Sequence, residues 1–376
     1  MRPRNKILSA VALVLVLGVS ALALLLSHDT PCDTTIPAAR TAASMKAVVY
    51  RCYGPPTVVR VDYIPRPSLA DDAVLVRVRA TALNPLDWHI IRGDPYIMRG
   101  MLGIGAPKDI RLGTDFAGTV EAVGKQVTQF KPGDAVFGGA DGAFAEYVSV
   151  RASGGVALKP ASLTFEQAAA IPVAGLTALQ ALRDHGELKP GQRVLVNGAS
   201  GGVGIFAIQI AKALGAEVTG VASSKSAALV SSLGATRVID YGREDYADGS
   251  QRYDVILDLI GNRSLTENRR ALKPHGIYIG IGGGTPREGG FLGPVIGALK
   301  QSMVAPFISQ KLGLFEAKLT QADLVRLGDL VQAGKVTPVI DKRFTFEQAA
   351  QAIDYLEQGH AHGKVVLIPD SNITTG

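Results

Sequence analysis

Arg193-Val-Leu-Val-Asn-Gly-Ala-Ser-Gly-Gly-Val-Gly204 is a short apolar strand that runs through a glycine-rich turn into a helix opening at Val203. Gly198, Gly201 and Gly204 let the backbone turn sharply and approach a pyrophosphate closely, while the helix start presents unpaired N–H groups and the positive end of its dipole. Their spacing, Gly-x-x-Gly-x-x-Gly, differs from the commoner Gly-x-Gly-x-x-Gly, so its surroundings carry much of the argument. Val203, Phe206, Ala207, Ile210, Ala211 and Leu214 form an apolar stripe for packing on a sheet. Gly215 then ends the helix, and Glu217-Val-Thr-Gly-Val-Ala222 reads as the next strand, completing a βαβ unit.

The residues after that second strand select the ligand. A unit that binds NAD places an Asp or Glu about 20 residues beyond the glycines, on the ribose hydroxyls. Here the position reads Ser223-Ser224-Lys225, two hydroxyls and a cation with no carboxylate to repel a 2′-phosphate. NADPH is the better-matched dinucleotide. The alternative is that Ser224 caps the following helix and Lys225 is solvated.

Further along, strands at 193–197, 217–222, 237–240, 253–259 and 276–281 alternate with helical stretches at 203–214, 225–233 and 263–272, the pattern of a doubly wound parallel sheet. Upstream, from Met45, short runs such as Lys46–Tyr50, Ala73–Arg79, Ala117–Val123 and Ala135–Phe137 stand between Pro and Gly punctuation and predict a small β-barrel-like domain. Helices near 320–333 and 346–357 and strands near 337–341 and 364–368 return to that domain. The expected division is 1–44 anchor and tether, 45–160 catalytic domain, 161–310 dinucleotide-binding domain, and 311–376 the end of the sheet and the return.

With 376 residues, 47% of them hydrophobic and 19% charged, the chain can bury a full core. The net charge of +6 comes without a run of Lys and Arg interleaved with aromatics, which argues against nucleic-acid binding. Cys32 and Cys52 offer neither a disulfide framework nor the clustered thiolates of a structural zinc, and say nothing of compartment.

Ile7 to Leu26 is an uncharged run of 20 residues. As a helix it would rise about 30 Å, enough to span a bilayer. The rival is a cleaved signal peptide, but the run exceeds a usual h-region and the nearby small-residue pair, Ala21 and Ala23, lies inside it, so an uncleaved single-pass anchor is the expectation. Arg2, Arg4 and Lys6 should stay cytoplasmic and carry the main body across, away from the NADPH pool. Either that charge rule fails here, or the dinucleotide is not turned over in the ordinary way, or translation starts at Met45 and yields a cytoplasmic enzyme. Residues 27–44 read as a flexible tether.

Gly113-Thr-Asp-Phe-Ala-Gly-Thr-Val-Glu-Ala-Val-Gly124, Lys131-Pro-Gly-Asp134, Ala170-Ile-Pro-Val-Ala-Gly-Leu-Thr177, the Asn197–Gly204 turn and Gly363-Lys364 together resemble medium-chain dehydrogenase/reductases of the zinc-free quinone oxidoreductase type, over Met45 to about Pro369. The resemblance implies an α/β chain with a GroES-like catalytic domain interrupted by a Rossmann domain, preceded here by the single hydrophobic helix. The active site would lie in the cleft between the domains. Zinc-dependent relatives carry a cysteine and a His-Glu pair where this chain has Asn84 and Thr114-Asp115, so no metal is expected.

Without zinc, conjugate hydride addition to a quinone, enone or enoyl group suits hydrogen-bond polarisation alone. On the substrate side the resemblance suggests Asn84 as amide donor, Asp87 as an orienting group and Tyr96 as phenolic donor or acid. Against these stand an ordinary Asn-Pro turn, a helix cap over 88–92 and simple packing of Tyr96. On the cofactor side it implies Gly198, Ser200, Gly201, Gly202, Val203 and Gly204 for the pyrophosphate. Ser223, Ser224, Lys225 and Tyr241 would hold the adenosine phosphate, and Thr177, in the loop before a helix, the nicotinamide end. Gly261 and Gly282 would lie at strand ends, and Lys364 would reach the phosphates. The expected activity is reduction of a quinone or α,β-unsaturated carbonyl by NADPH, in a homodimer by analogy. The alternatives are a membrane-tethered NADPH-binding protein without turnover, and an enoyl-thioester reductase whose basic mouth Arg92, Arg99, Lys108 and Arg111 would supply.

Overall fold

The computed structural model describes residues 17–32, 41–281, 309–315 and 317–369. β1 (Ser44–Val49) and β2 (Arg60–Pro65) form an antiparallel pair. β3 (Ala73–Ala82), β4 (Asp115–Val123), β5 (Ala135–Gly139), β6 (Tyr147–Arg151) and β7 (Val156–Leu158) follow and pair antiparallel. β3 alternates apolar and polar side chains along its middle, as a strand with one solvated face must.

The second sheet is built from β8 (Arg193–Asn197), β9 (Glu217–Ala222), β10 (Arg237–Asp240), β11 (Tyr253–Asp258), β12 (Leu272–Gly280) and β13 (Lys311–Leu314). All neighbours are parallel, in the order β10-β9-β8-β11-β12-β13. The order reverses between β8 and β11, which opens the crevice where such sheets bind ligands. β8 and β11 are buried on both faces, hence their continuous apolar runs. β14 (Ile340–Thr345) and β15 (Lys364–Ile368) join the first sheet through β15 against β3.

One core joins the two sheets: Ala80, Ala117 and Phe137 of the first share it with Val194, Val196 and Leu257 of the second and with Leu176 and Phe206 from the helices Pro172–Gln180 and Gly204–Ala213. β2, β6, β7 and β13 were not foreseen. β7 and β13 have three and four residues, β2 ends on a proline, and β6 carries Ser149 and Arg151.

The cysteines correct an expectation. Cys32 and Cys52 form a disulfide with Cα atoms 5.0 Å apart. Thr30 N donates to Gly105 O at 2.9 Å and Asp29 bridges Gly105, so residues expected to be a loose tether lie along the first domain and bring Cys32 to Cys52. The apolar run 7–26 lies partly outside the described residues. Its portion 17–26 is helical, and among the described residues no helix is long and apolar enough to cross a membrane.

Candidate functional site

The turn after β8 has the geometry its glycines foretold. Gly198 sits at φ +88°, and a Cβ on Gly204 would stand 2.2 Å from the Gly198 carbonyl oxygen, so neither position accepts a side chain. Gly201 N donates back to Gly198 O at 3.1 Å, and Val203 leads into the helix Gly204–Ala213. Ser200, Gly201, Gly202 and Val203 are half-buried along the turn. Gly201 also bridges Gly363, tying this turn to the strand entering the other sheet.

Across the crevice, Asp258 ends β11. Its buried carboxylate accepts from Asn197 Nδ2 at 2.8 Å, Gly261 N at 2.9 Å and Tyr278 Oη at 2.9 Å. Burial and this carboxylate hold the Tyr278 phenol well above its ordinary range. Gly261, at φ +71°, is thus fixed in a turn governed by Asp258, a residue the sequence reading used only as a landmark. Gly282 lies outside the described residues.

At the far end of β9, Ser223 leads into a short helical turn, Ser224–Ser226. Ser224 and Lys225 are exposed, while Ser223 Oγ meets Ser226 Oγ at 3.1 Å. Ser226 in turn meets His362 Nδ1 at 2.9 Å. Tyr241 begins where β10 ends, its N–H donating to Ala222 O at 3.2 Å and its ring largely exposed. Hydroxyls, a cation and a phenol therefore gather on one edge of the sheet.

Facing the glycine turn is a buried polar group. Lys364 Nζ donates to Asn84 Oδ1 at 2.6 Å and to Asp115 Oδ2 at 3.1 Å, and Asn84 Nδ2 donates to the same carboxylate oxygen at 3.0 Å. The second oxygen of Asp115 accepts from Val173 N at 2.8 Å, and the Thr81 hydroxyl donates to the Asp115 carbonyl. Asn84 also caps the helix Pro85–Arg92, its N–H donating to Asp87 Oδ2 at 2.7 Å. Asp87 is 2% exposed, and burial pushes its carboxyl up to about 7, with Asp115 adding to the rise and the Asn84 N–H and Lys364 opposing it. Asp115 belongs to the site, although the sequence reading did not name it as a site residue; a carboxylate opening the apolar run Asp115-Phe-Ala-Gly was the available signal.

Three expectations change. Lys364 does not extend toward the phosphates: its stem passes Gly202, where an added Cβ would meet Lys364 Cδ at 3.1 Å, and its ammonium is spent on Asn84 and Asp115. Thr177 lies inside the helix Pro172–Gln180, not in a loop, and its hydroxyl donates to Val173 O at 2.7 Å. Tyr96 packs its ring on the Arg99 guanidinium, 4.5 Å from its centroid, and has no bond to Asn84, Asp87 or Lys364. The basic mouth also dissolves: Arg92 pairs with Glu357, Arg99 is buried and Arg111 pairs with Asp109 at 2.6 Å, which leaves Lys108.

The alcohol dehydrogenase GroES-like domain family matches residues 70–161, and the zinc-binding dehydrogenase family matches 233–367. The 2-methylene-furan-3-one reductase of Solanum lycopersicum is 33% identical over 371 residues, covering 95% of this chain and 86% of that protein. This chain belongs to the medium-chain dehydrogenase/reductase superfamily. It falls in the zinc-free, quinone oxidoreductase-like branch. The chloroplastic NADPH-dependent alkenal/one oxidoreductase of Arabidopsis thaliana is 33% identical, with 90% of this chain and 81% of that one covered. Among solved structures, the Escherichia coli quinone oxidoreductase complexed with NADPH superposes with a TM-score of 0.72 at 27% identity, covering 86% of this chain and 100% of that one. The Coxiella burnetii quinone oxidoreductase gives 0.74 at 31%, with 86% and 99% covered.

Although one matched family is described as zinc-binding, this medium-chain reductase gathers no group of three His, Cys, Asp or Glu among its described residues. Asn84 and Asp115 instead hold the Lys364 ammonium, so a resident cation is already paired with their oxygens.

Proposed function

We propose that the protein is a zinc-independent, NADPH-dependent reductase of quinones or α,β-unsaturated carbonyls, held at a membrane by residues 7–26. The observation that carries this reading is the buried Asn84–Asp115–Lys364 group, whose lysine stem passes the glycine turn at Gly202.

The residues present fit the dinucleotide. The glycine-rich turn Gly198–Gly204 would admit a pyrophosphate against the backbone N–H groups of Gly201, Gly202 and Val203. Exposed Ser224, Lys225 and Tyr241 would receive the 2′-phosphate, with Ser223 shaping the turn and Gly261 walling the crevice. When bound, NADPH supplies a hydride from nicotinamide C4 to the electrophilic carbon of a conjugated substrate.

The protein's own part is electrostatic. Lys364 and Asp115 fix the Asn84 side chain by one bond to each end of its amide, which leaves the second Nδ2 hydrogen for a substrate oxygen. A donor preset in this way stabilises the charge developing on that oxygen by about 3 kcal/mol. Asp87, its carboxyl raised by burial to about 7, secures the backbone of Asn84 while carrying less negative charge beside Asp115 than an exposed carboxylate would. Thr177 and Tyr96 serve packing in this scheme.

The disulfide and the N-terminal charges favour the side of the membrane away from the cytoplasm, whereas turnover of NADPH favours the cytoplasmic side. The Cys32–Cys52 bridge forms and persists where thiols are oxidised, and Arg2, Arg4 and Lys6 would hold the N-terminus on the cytoplasmic side. Protease protection of membrane vesicles, followed by thiol counting without reductant, distinguishes the two.

The decisive experiment for the activity follows NADPH absorbance with a panel of quinones, enals, enones and enoyl thioesters. Oxidation by quinones or enones is expected. No oxidation by any of them would leave a dinucleotide-binding protein without turnover.

A further inference from the structure

Residues 26–32 do not merely follow the apolar run; they are clamped to the segment that carries Tyr96. Arg99, 2% exposed, donates through Nη1 to Leu26 O at 3.0 Å and Asp29 Oδ1 at 2.8 Å, and through Nε and Nη2 to Gly93 O at 3.0 Å and Arg92 O at 3.1 Å. Its guanidinium carbon lies over the rings of Tyr53 and Tyr96, 4.4 and 4.5 Å from their centroids. A buried guanidinium with this many partners fixes geometry, because each partner lost would leave charge unpaired in an apolar setting. The Cys32–Cys52 bridge closes the same clasp covalently.

The surface beside the clasp is apolar. Met101 is 85% exposed, and Ile97, in the helical turn just before it, and Ile104 are exposed with it. Ile104 adjoins Gly105, which pairs with Asp29 and Thr30. The helical residues 17–26 arrive at this point with Leu17, Val19, Leu22, Leu24 and Leu25 exposed. At 100° per residue those positions cover about 220° of the helix circumference, about twice the stripe a surface helix lays on a protein core, which suits a lipid surrounding and not a single protein groove.

We propose that the face bearing Ile97, Met101 and Ile104 lies on a lipid bilayer, held there by the Arg99 clamp and the Cys32–Cys52 bridge, so that apolar quinones or enones enter the site from the membrane. The inference rests on residues 7–26 being a membrane anchor, and it adds the orientation of the lobes and the route of the substrate. Exposed Lys108, close behind Ile104 in the chain, suits the anionic headgroups of such a surface.

The test uses the full chain, reconstituted in vesicles of phosphatidylcholine and phosphatidylglycerol, with an environment-sensitive fluorophore on Met101→Cys, Leu22→Cys or Lys125→Cys and the native bridge closed. Quenching by doxyl-labelled lipid is expected at the first two and not at Lys125→Cys, which sits on an exposed turn of the first domain. In a Cys32→Ser/Cys52→Ser background the Met101→Cys signal should lose half or more of its quenching while that of Leu22→Cys is kept. Quenching at Leu22→Cys alone in the native background would overturn the proposal and leave the anchor standing. Quenching at neither would overturn both. As a second readout, the Ile97→Asp/Met101→Asp/Ile104→Asp variant should raise KM about fivefold or more for a vesicle-dissolved quinone, with kcat and the KM of a short water-soluble enone unchanged. An unchanged KM for the vesicle-dissolved quinone would refute the membrane route.

Discussion

The glycine turn after β8 and the polar group around Asn84 face each other, and they are built in opposite ways. The turn works by leaving out side chains where the backbone closes: Gly198 and Gly204 are there because a Cβ would collide with Ile260 or with the Gly198 carbonyl. The polar group works by having many, each tied to another until only a directed donor remains. A backbone cradle is written in consecutive residues. The polar group unites positions 84, 115 and 364, from three parts of the chain.

The largest expected effect breaks the second construction. Lys364→Met leaves the Asp115 carboxylate, 0% exposed, without its cation and should cost about 3–5 kcal/mol of stability in chemical denaturation. Adding Asp115→Asn should recover much of the loss, and no recovery would mean that the lysine stem, not its charge, matters. Next, Asn84→Ala should lower kcat about a hundredfold, close to 3 kcal/mol of barrier, while NADPH affinity measured by fluorescence titration stays the same. A fall in affinity with kcat intact would assign Asn84 to the cradle instead.

A smaller effect belongs to Asp87. Its folded pKa, raised by burial from 3.8 to about 7, means that the folded protein binds this proton more tightly than the unfolded chain. The contribution to stability is full below 3.8 and is lost as pH rises through about 7. Melting temperatures should therefore fall across that window, and Asp87→Asn should flatten the fall; an unaltered slope would count against it. The mildest change tests the cradle's outer edge. Lys225→Ala should reduce the preference for NADPH over NADH about tenfold in kcat/KM, leaving NADH kinetics untouched.

The same contrast explains what the sequence disclosed. β8, β9 and β11 are continuous apolar runs bounded by turns, and the parallel sheet was legible from them. The loop setting of Thr177 came with the resemblance, and Pro172 and Gly175 in the local sequence do not advertise the helix that the structure forms there. Pro172 occupies the first helical position, where its missing N–H costs nothing, and Gly175 packs against Leu327. Lys364 was assigned to phosphates from its neighbour Gly363, since a partner 249 residues away cannot be inferred from local spacing. Cys32 and Cys52 were dismissed because pairing depends on the path of residues 29–31 along Gly105, which no periodicity encodes.

The clasp around Arg99 bears on a shorter product starting at Met45. Such a chain would lack Asp29, the Leu26 carbonyl and Cys32 together. It would keep an interior guanidinium against two tyrosines with three of its five oxygen partners removed, and Cys52 as an unpaired thiol. Residues 26–32 are accordingly part of what completes the substrate-side lobe, and trimming them for expression would leave a weakened wall of the active-site domain.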